Sequence, residues 1–222
     1  MTDTAPAISM RRWAIGEGRF AEPVFMLDGD LPRDLTNVTV AMPSGGSERA
    51  RELVACGADC VLLGDAIMRD STLLAALNKE LGEGKVGVWV PARRMGVSWS
   101  LDCESNADFR CIAPSRVAPA WEILNSTGQA TGVDASWWTG QMLQRGAAMA
   151  LVAVDIDDAG LNICAGLTER FASQLWFTPL HDMTTDLRPW VEYGHAANLV
   201  LPAGHDDAAL REHFAPAVDA AA

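Results

Sequence analysis

The chain reads as an α/β fold, a (βα)8 TIM-type barrel, and three features of the sequence predict it. Short apolar runs recur at Val38–Met42, Cys60–Leu63, Val86–Val90, Met149–Val154, Leu175–Leu180 and Asn198–Leu201, with the length and continuity of strands covered on both faces. Amphipathic stretches of helical period alternate with them. The helix-to-strand joints also repeat: Gly57-Ala58, Gly146-Ala147 and Gly194 each end a helix just ahead of a buried strand. Successive right-handed crossovers with no return to an opposite edge favour a closed barrel over an open sheet.

The elements follow in order. Residues 1–37 are the least regular part: Ala7–Ile15 and Pro23–Leu27 are short strands joined by Gly16-Glu17-Gly18, and neither is followed by a helix-length segment. Val38–Met42 is a strand, Pro43-Ser44-Gly45-Gly46 a loop, and Ser47 the N-cap of a helix reaching Cys56. Cys60–Leu63 is closed by Gly64-Asp65. Asp70-Ser71 opens a helix with Leu73, Leu74, Leu77 and Leu81 on one stripe, and Val86–Val90 is stopped by Pro91. Residues 93–131 break the rhythm and read as an inserted loop region containing a hairpin that turns at Asn125–Gly128. A helix with Trp138, Met142 and Leu143 on one face leads through Gly146 to the strand Met149–Val154. Helices near Leu167–Ser173 and Leu187–Tyr193 then alternate with the last two strands. Ala208–Phe214 is the final helix, and residues 215–222 form a flexible tail.

The 222 residues, 49% hydrophobic and 21% charged, suit one barrel domain over 1–222. Seventeen basic against 29 acidic residues give a net charge of −12, which repels phosphate backbones and excludes nucleic acid as a general partner. No run approaches a membrane span and Met1–Pro6 lacks the basic start of an export signal, so the expected location is cytoplasmic, with no membrane partner. Five scattered cysteines read as reduced thiols. Gly57 separates Cys56 from Cys60, so no metal is expected there, and the absence of a nucleotide fingerprint implies no cofactor.

Three segments resemble the isomerase of histidine biosynthesis, phosphoribosylformimino-carboxamide ribotide isomerase, and the related imidazole glycerol phosphate synthase cyclase. Leu53–Ala66 looks like their third helix, fourth strand and following loop. Trp121–Gly132 looks like the hairpin after their fifth strand, and Gly146–Gly160 like their sixth strand with its acidic loop. A set of relatives associated with methanopterin-type one-carbon coenzyme metabolism is the nearest picture. The resemblance implies aspartates at the ends of strands one, five and six, and two glycine-rich phosphate loops after strands three and seven. Here nothing matches the first aspartate, and Asp158 or its neighbour Asp157 matches the sixth-strand acid. The fifth-strand position is Pro91 if Val86–Val90 is strand five, and Asp102, the preferred alignment, if Val97–Leu101 is. The first phosphate loop survives as Ser44-Gly45-Gly46, whereas the second has become His181-Asp182-Met183, which argues against a bisphosphate substrate.

Catalytic candidates are therefore Asp102, Asp158, Asp157 and His181, the last with Asp182 as its orienting acid. The substrate contacts expected are Ser44, Gly45, Gly46, Asp65, Asp155 and Asp182. Arg93, Arg94, Arg110 and Arg116 either gather a carboxylate or phosphate or pair with nearby acids. Trp89, Trp99, Trp121, Trp137 and Trp138 either stack on a ring or serve as core and interface. Two functions stand open. One is isomerase- or lyase-type proton transfer on a small molecule in coenzyme biosynthesis. The other is a catalytically silent barrel in a homo- or hetero-oligomer, its helix-poor first quarter leaving a flank to be covered by a partner subunit.

Overall fold

A computed structural model describes residues 8–95, 121–155, 161–205 and 208–214. Eight parallel strands form a nearly closed barrel: β1 (Ser9–Arg12), β2 (Val24–Leu27), β3 (Val38–Met42), β4 (Cys60–Leu63), β5 (Val86–Arg94), β8 (Ala150–Ala153), β9 (Leu175–Thr178) and β10 (Asn198–Leu201). The hairpin β6 (Trp121–Leu124) and β7 (Ala130–Asp134) stands off the end of β5. The helices are α1 (Ser47–Ala55), α2 (Asp65–Arg69), α3 (Thr72–Leu81), α4 (Ala135–Gln144), α5 (Leu161–Phe171), α6 (Arg188–Glu192) and α7 (Ala208–His213). Strands β1 and β2 close the ring through one bridge, Trp13 to Phe25, and the Ala14 N–H donates to the Phe25 carbonyl at 2.8 Å.

Alternation along the strands separates two apolar clusters. Helix residues such as Leu53, Leu74, Leu77, Met142, Leu167 and Trp190 pack on the outer cluster, while the inner one is built from Phe25, Ala41, Cys60, Leu62, Trp89, Leu151, Ala153, Trp176 and Val200. The lumen is thus a packed core. Trp13 joins it, with ring centroids 6.0 Å from Phe25 and 6.1 Å from Trp89, both edge-on. Lower down, the Arg11 guanidinium lies 4.6 Å from the Trp176 ring centroid. Gly87 is required opposite these rings, because a Cβ there would come 2.6 Å from Leu62 Cδ2 and from the Met149 carbonyl oxygen.

Several expectations need correction. Strand β5 does not stop at Pro91 but runs to Arg94. The Val88 N–H donates to Met149 in β8's direction, so the Pro91 nitrogen faces the other edge, where β4 has already ended opposite Val88; no ladder bond is lost. Because β5 pairs directly with β8, no further strand fits between them, and Val86–Val90 belongs to the fifth barrel strand. Val97–Leu101 and Asp102 lie outside the described residues. Gly46, not Ser47, is the N-cap of α1. Residues 65–69 form a helical turn, α2, in place of the expected loop. Helix α3 starts at Thr72 behind its N-cap Ser71, as Asp70-Ser71 places it, and the Thr72 N–H and hydroxyl both donate to Asp70 Oδ1. Helix α5 begins at Leu161, ahead of the expected start.

The first quarter has no helix between β1 and β2 or between β2 and β3, yet it is not bare. Val24, Met26, Val38, Val40 and Met42 are all buried, as is Leu35, with Phe20 and Leu31 packed half-buried on the same cluster. Loop side chains replace the helices because the Asn37 amide donates to the Phe20 carbonyl and the Leu35 N–H to the Cys56 carbonyl, folding both loops back on the barrel.

The loops after β3 and β4 lie in contact: the Gly64 and Asp65 N–H groups donate to the carbonyls of Met42 and Pro43. A Cβ at Gly64 would sit 2.5 Å from the Pro43 oxygen, whereas one at Gly29 meets open space. Gly64→Ala is expected to lower stability in urea unfolding by about 1–3 kcal/mol, and Gly29→Ala to change it by less than about 0.5 kcal/mol.

Candidate functional site

The carboxyl ends of parallel strands converge on one face of a barrel, and backbone groups freed there can bind ligands. On that face β8 ends at Ala153, paired with Thr178 of β9, so Asp155 and residues 180–182 project side by side. The Asp155 carboxylate ties them together. Its Oδ1 accepts from the N–H groups of Leu180 (3.2 Å), His181 (2.6 Å) and Asp182 (3.2 Å), and its Oδ2 lies 2.6 Å from His181 Nδ1.

Partial burial pushes the Asp155 carboxyl upward, but hydrogen bonds from the His181 backbone and ring, the Asp182 N–H and the nearby imidazole outweigh it and hold the group below its ordinary value. An ionised carboxylate only accepts, so Nδ1 of His181 carries a proton toward it, and Nε2 is the ring nitrogen that Asp155 does not engage. This is a carboxylate–imidazole dyad with Nε2 turned away from the anchor.

A cleft of about 240 Å³ surrounds the dyad, lined by Asp155, His181 and Leu180 on one side and by Arg93, Arg94 and Trp121 on the other. The arginines reach it because β5 outruns the barrel to pair with β6. The Arg93 Nε donates to Glu122 Oε1 at 3.0 Å, and Glu122 is nearly buried, so this guanidinium is braced across the strand pair. The Trp121 indole N–H is buried and finds no acceptor among the described residues.

The remaining candidates sort differently from expectation. Asp182 does not orient His181; its Oδ1 accepts from the N–H and hydroxyl of Thr184, and Asp155 takes the orienting role. Adjacent parallel strands put their following residues side by side, a stronger constraint than sequence adjacency. Asp65 accepts from the Ser126 N–H (2.9 Å) and hydroxyl (2.6 Å), pinning the β6–β7 hairpin tip, so both its oxygens are engaged. Ser44, Gly45 and Gly46 sit after β3, close to Asp28: a Cβ on Gly45 would lie 3.5 Å from an Asp28 oxygen. Asp28 itself accepts from Arg49 at 2.9 Å. Asp157 and Asp158 lie outside the described residues, as do Arg110, Arg116 and Trp99.

Of the other tryptophans, Trp89 faces the lumen, Trp138 is core and Trp137 is exposed. Cys56 is exposed at the end of α1 while Cys60 lies inside the barrel, where burial pushes its thiol up to about 12, so the two do not converge. No group of three or more metal-ligating side chains occurs among the described residues, and none of their helices is long and apolar enough to cross a membrane. Trp13 and Thr178 are additions that the residue pattern did not single out, although the period-two alternation of β9 points Thr178 inward with Trp176. The Trp13 indole N–H donates to Thr178 Oγ1 at 2.8 Å. No protein-family model matches the chain.

A depressed folded-state pKa means that Asp155 contributes stability above its ordinary value of 3.8 and loses it as the pH falls through the lowered value. Asp155→Asn should therefore flatten the fall in unfolding free energy below about pH 4 relative to wild type, measured by urea titration at stepped pH.

Proposed function

We propose that this barrel is an acid–base enzyme, of isomerase or lyase type, in which His181 Nε2 takes a proton from a small oxygenated anionic substrate and returns it. The observation that carries this reading is the Asp155–His181 dyad at the strand ends, in which Nδ1 meets Asp155 at 2.6 Å and Nε2 is the ring nitrogen Asp155 does not engage. A carbonyl or hydroxyl substrate fits such a base, because removal of a proton beside a carbonyl needs an acceptor near neutral pH and a cation for the developing oxyanion. Arg93 and Arg94 line the opposite wall and supply that cation.

The substrate is not a bisphosphate in this reading. The three N–H groups of residues 180–182 form an anion cradle of the kind that holds phosphate, and Asp155 fills it with the protein's own negative charge. Asp157 and Asp158 stay as candidate partners for His181, and the resemblance of Leu53–Ala66, Trp121–Gly132 and Gly146–Gly160 to the histidine-biosynthesis barrels supports a role in small-molecule, coenzyme-forming metabolism.

Solvent exchange tests the chemistry whatever the pathway. In D2O, with a panel of small keto, aldehyde and hydroxy acids, the wild type should incorporate deuterium beside the carbonyl of at least one compound. His181→Asn should slow that exchange by about 10²–10⁴-fold and Asp155→Asn should also slow it, while His205→Asn leaves it unchanged. Exchange that survives His181→Asn would remove His181 from the chemistry.

A further inference from the structure

A second cavity, of about 410 Å³, opens on the same face and shares Leu180 with the dyad cleft. Its other walls are Trp13, Trp89, Leu27, Ile15, Met183 and prolines 179 and 202, and none of the described residues lining it is ionisable. Its volume lies in the range of roughly 300–1,000 Å³ typical of small-molecule sites.

The floor is preformed. Trp13 cannot swing freely, because its N–H is held by Thr178 Oγ1 and its ring packs edge-on against both Phe25 and Trp89. Pro179 and Pro202 restrict the rim backbone at the ends of β9 and β10. Indole surfaces held in place favour a flat π-system over a flexible chain, which would lose more conformational freedom on entering. The exposed Ile15, Leu27 and Met183 give the rim an apolar surface.

We infer that the substrate carries an aromatic or heteroaromatic ring which occupies this cavity, while its anionic, proton-transferring end crosses Leu180 to reach His181 and Arg93. This assignment rests on the acid–base reading of the dyad. The two cavities then act as one bipartite site, apolar where the ring sits and cationic where the charge sits, with Leu180 as the shared divider.

Calorimetric titration with 2-naphthoate, which joins a bicyclic ring to a carboxylate, tests it against octanoate, equal in charge but an alkyl chain. Wild type should bind 2-naphthoate at least tenfold more tightly than octanoate. The double variant Ile15→Lys with Met183→Lys, both at exposed positions, should weaken 2-naphthoate at least tenfold. Equal affinity for the two acids, or naphthoate binding indifferent to the rim lysines, would overturn the ring assignment. Ring binding with this pattern, alongside deuterium exchange that ignores His181→Asn, would keep the cavity and discard the acid–base reading, so the two failures are separable.

Discussion

The volume of the barrel lumen is the constraint on which the rest of this structure depends. Four large aromatic rings, Trp13, Phe25, Trp89 and Trp176, fill a space that aliphatic side chains usually occupy, packed with the small Ala41 and Ala153. Strand β1 meets β2 through a single bridge, so these rings complete the closure that backbone hydrogen bonds leave nearly undone. The same packing raises Trp13 to the carboxyl end, where its N–H finds Thr178 and its ring becomes a cavity wall. Core and site therefore share side chains.

Asp155 likewise serves two ends. In a parallel barrel, the turn after a strand exposes backbone donors, and an external anion is one way to satisfy them. Here a carboxylate from the neighbouring strand end satisfies three at once, leaving its second oxygen to fix one tautomer of His181. One side chain thus closes the turn after β9 and orients the imidazole. The extension of β5 beyond the barrel works in the same direction, since it carries Arg93 and Arg94 over the mouth and lets Glu122 brace one of them.

The chain's acidity, a net charge of −12, makes this local cation cluster informative. Arg93 and Arg94 face Asp155 and His181 across the cleft, and Glu122 offsets Arg93, in a chain whose overall negative charge repels polyanions. The helix-poor first quarter does not weaken the barrel, because Phe20, Leu31 and Leu35 take over the covering role from loops tied down by Asn37 and Cys56.

Much of the fold is legible in the order of residues. Buried strands such as Val38–Met42, Cys60–Leu63 and Asn198–Leu201 are local statements, continuous apolar runs ended by glycine or proline, and they fall where the pattern puts them. The hairpin at Asn125–Gly128 is equally local, since the Asn125 side chain binds its own turn. The site is legible only as a roster: His181, Asp155 and the arginines stand out, but adjacency in sequence pairs His181 with Asp182 rather than with Asp155. Strand ends meet across a sheet, and which end meets which follows from register and strand order, quantities set by the whole barrel. By itself the sequence determined the alternation of strands and helices, the acidic surface and the inventory of groups available for chemistry. Only the tertiary structure decided that β5 touches β8, that Asp155 holds His181 and that Trp13 reaches Thr178, because each joins residues far apart in the chain whose proximity depends on the closing of the ring.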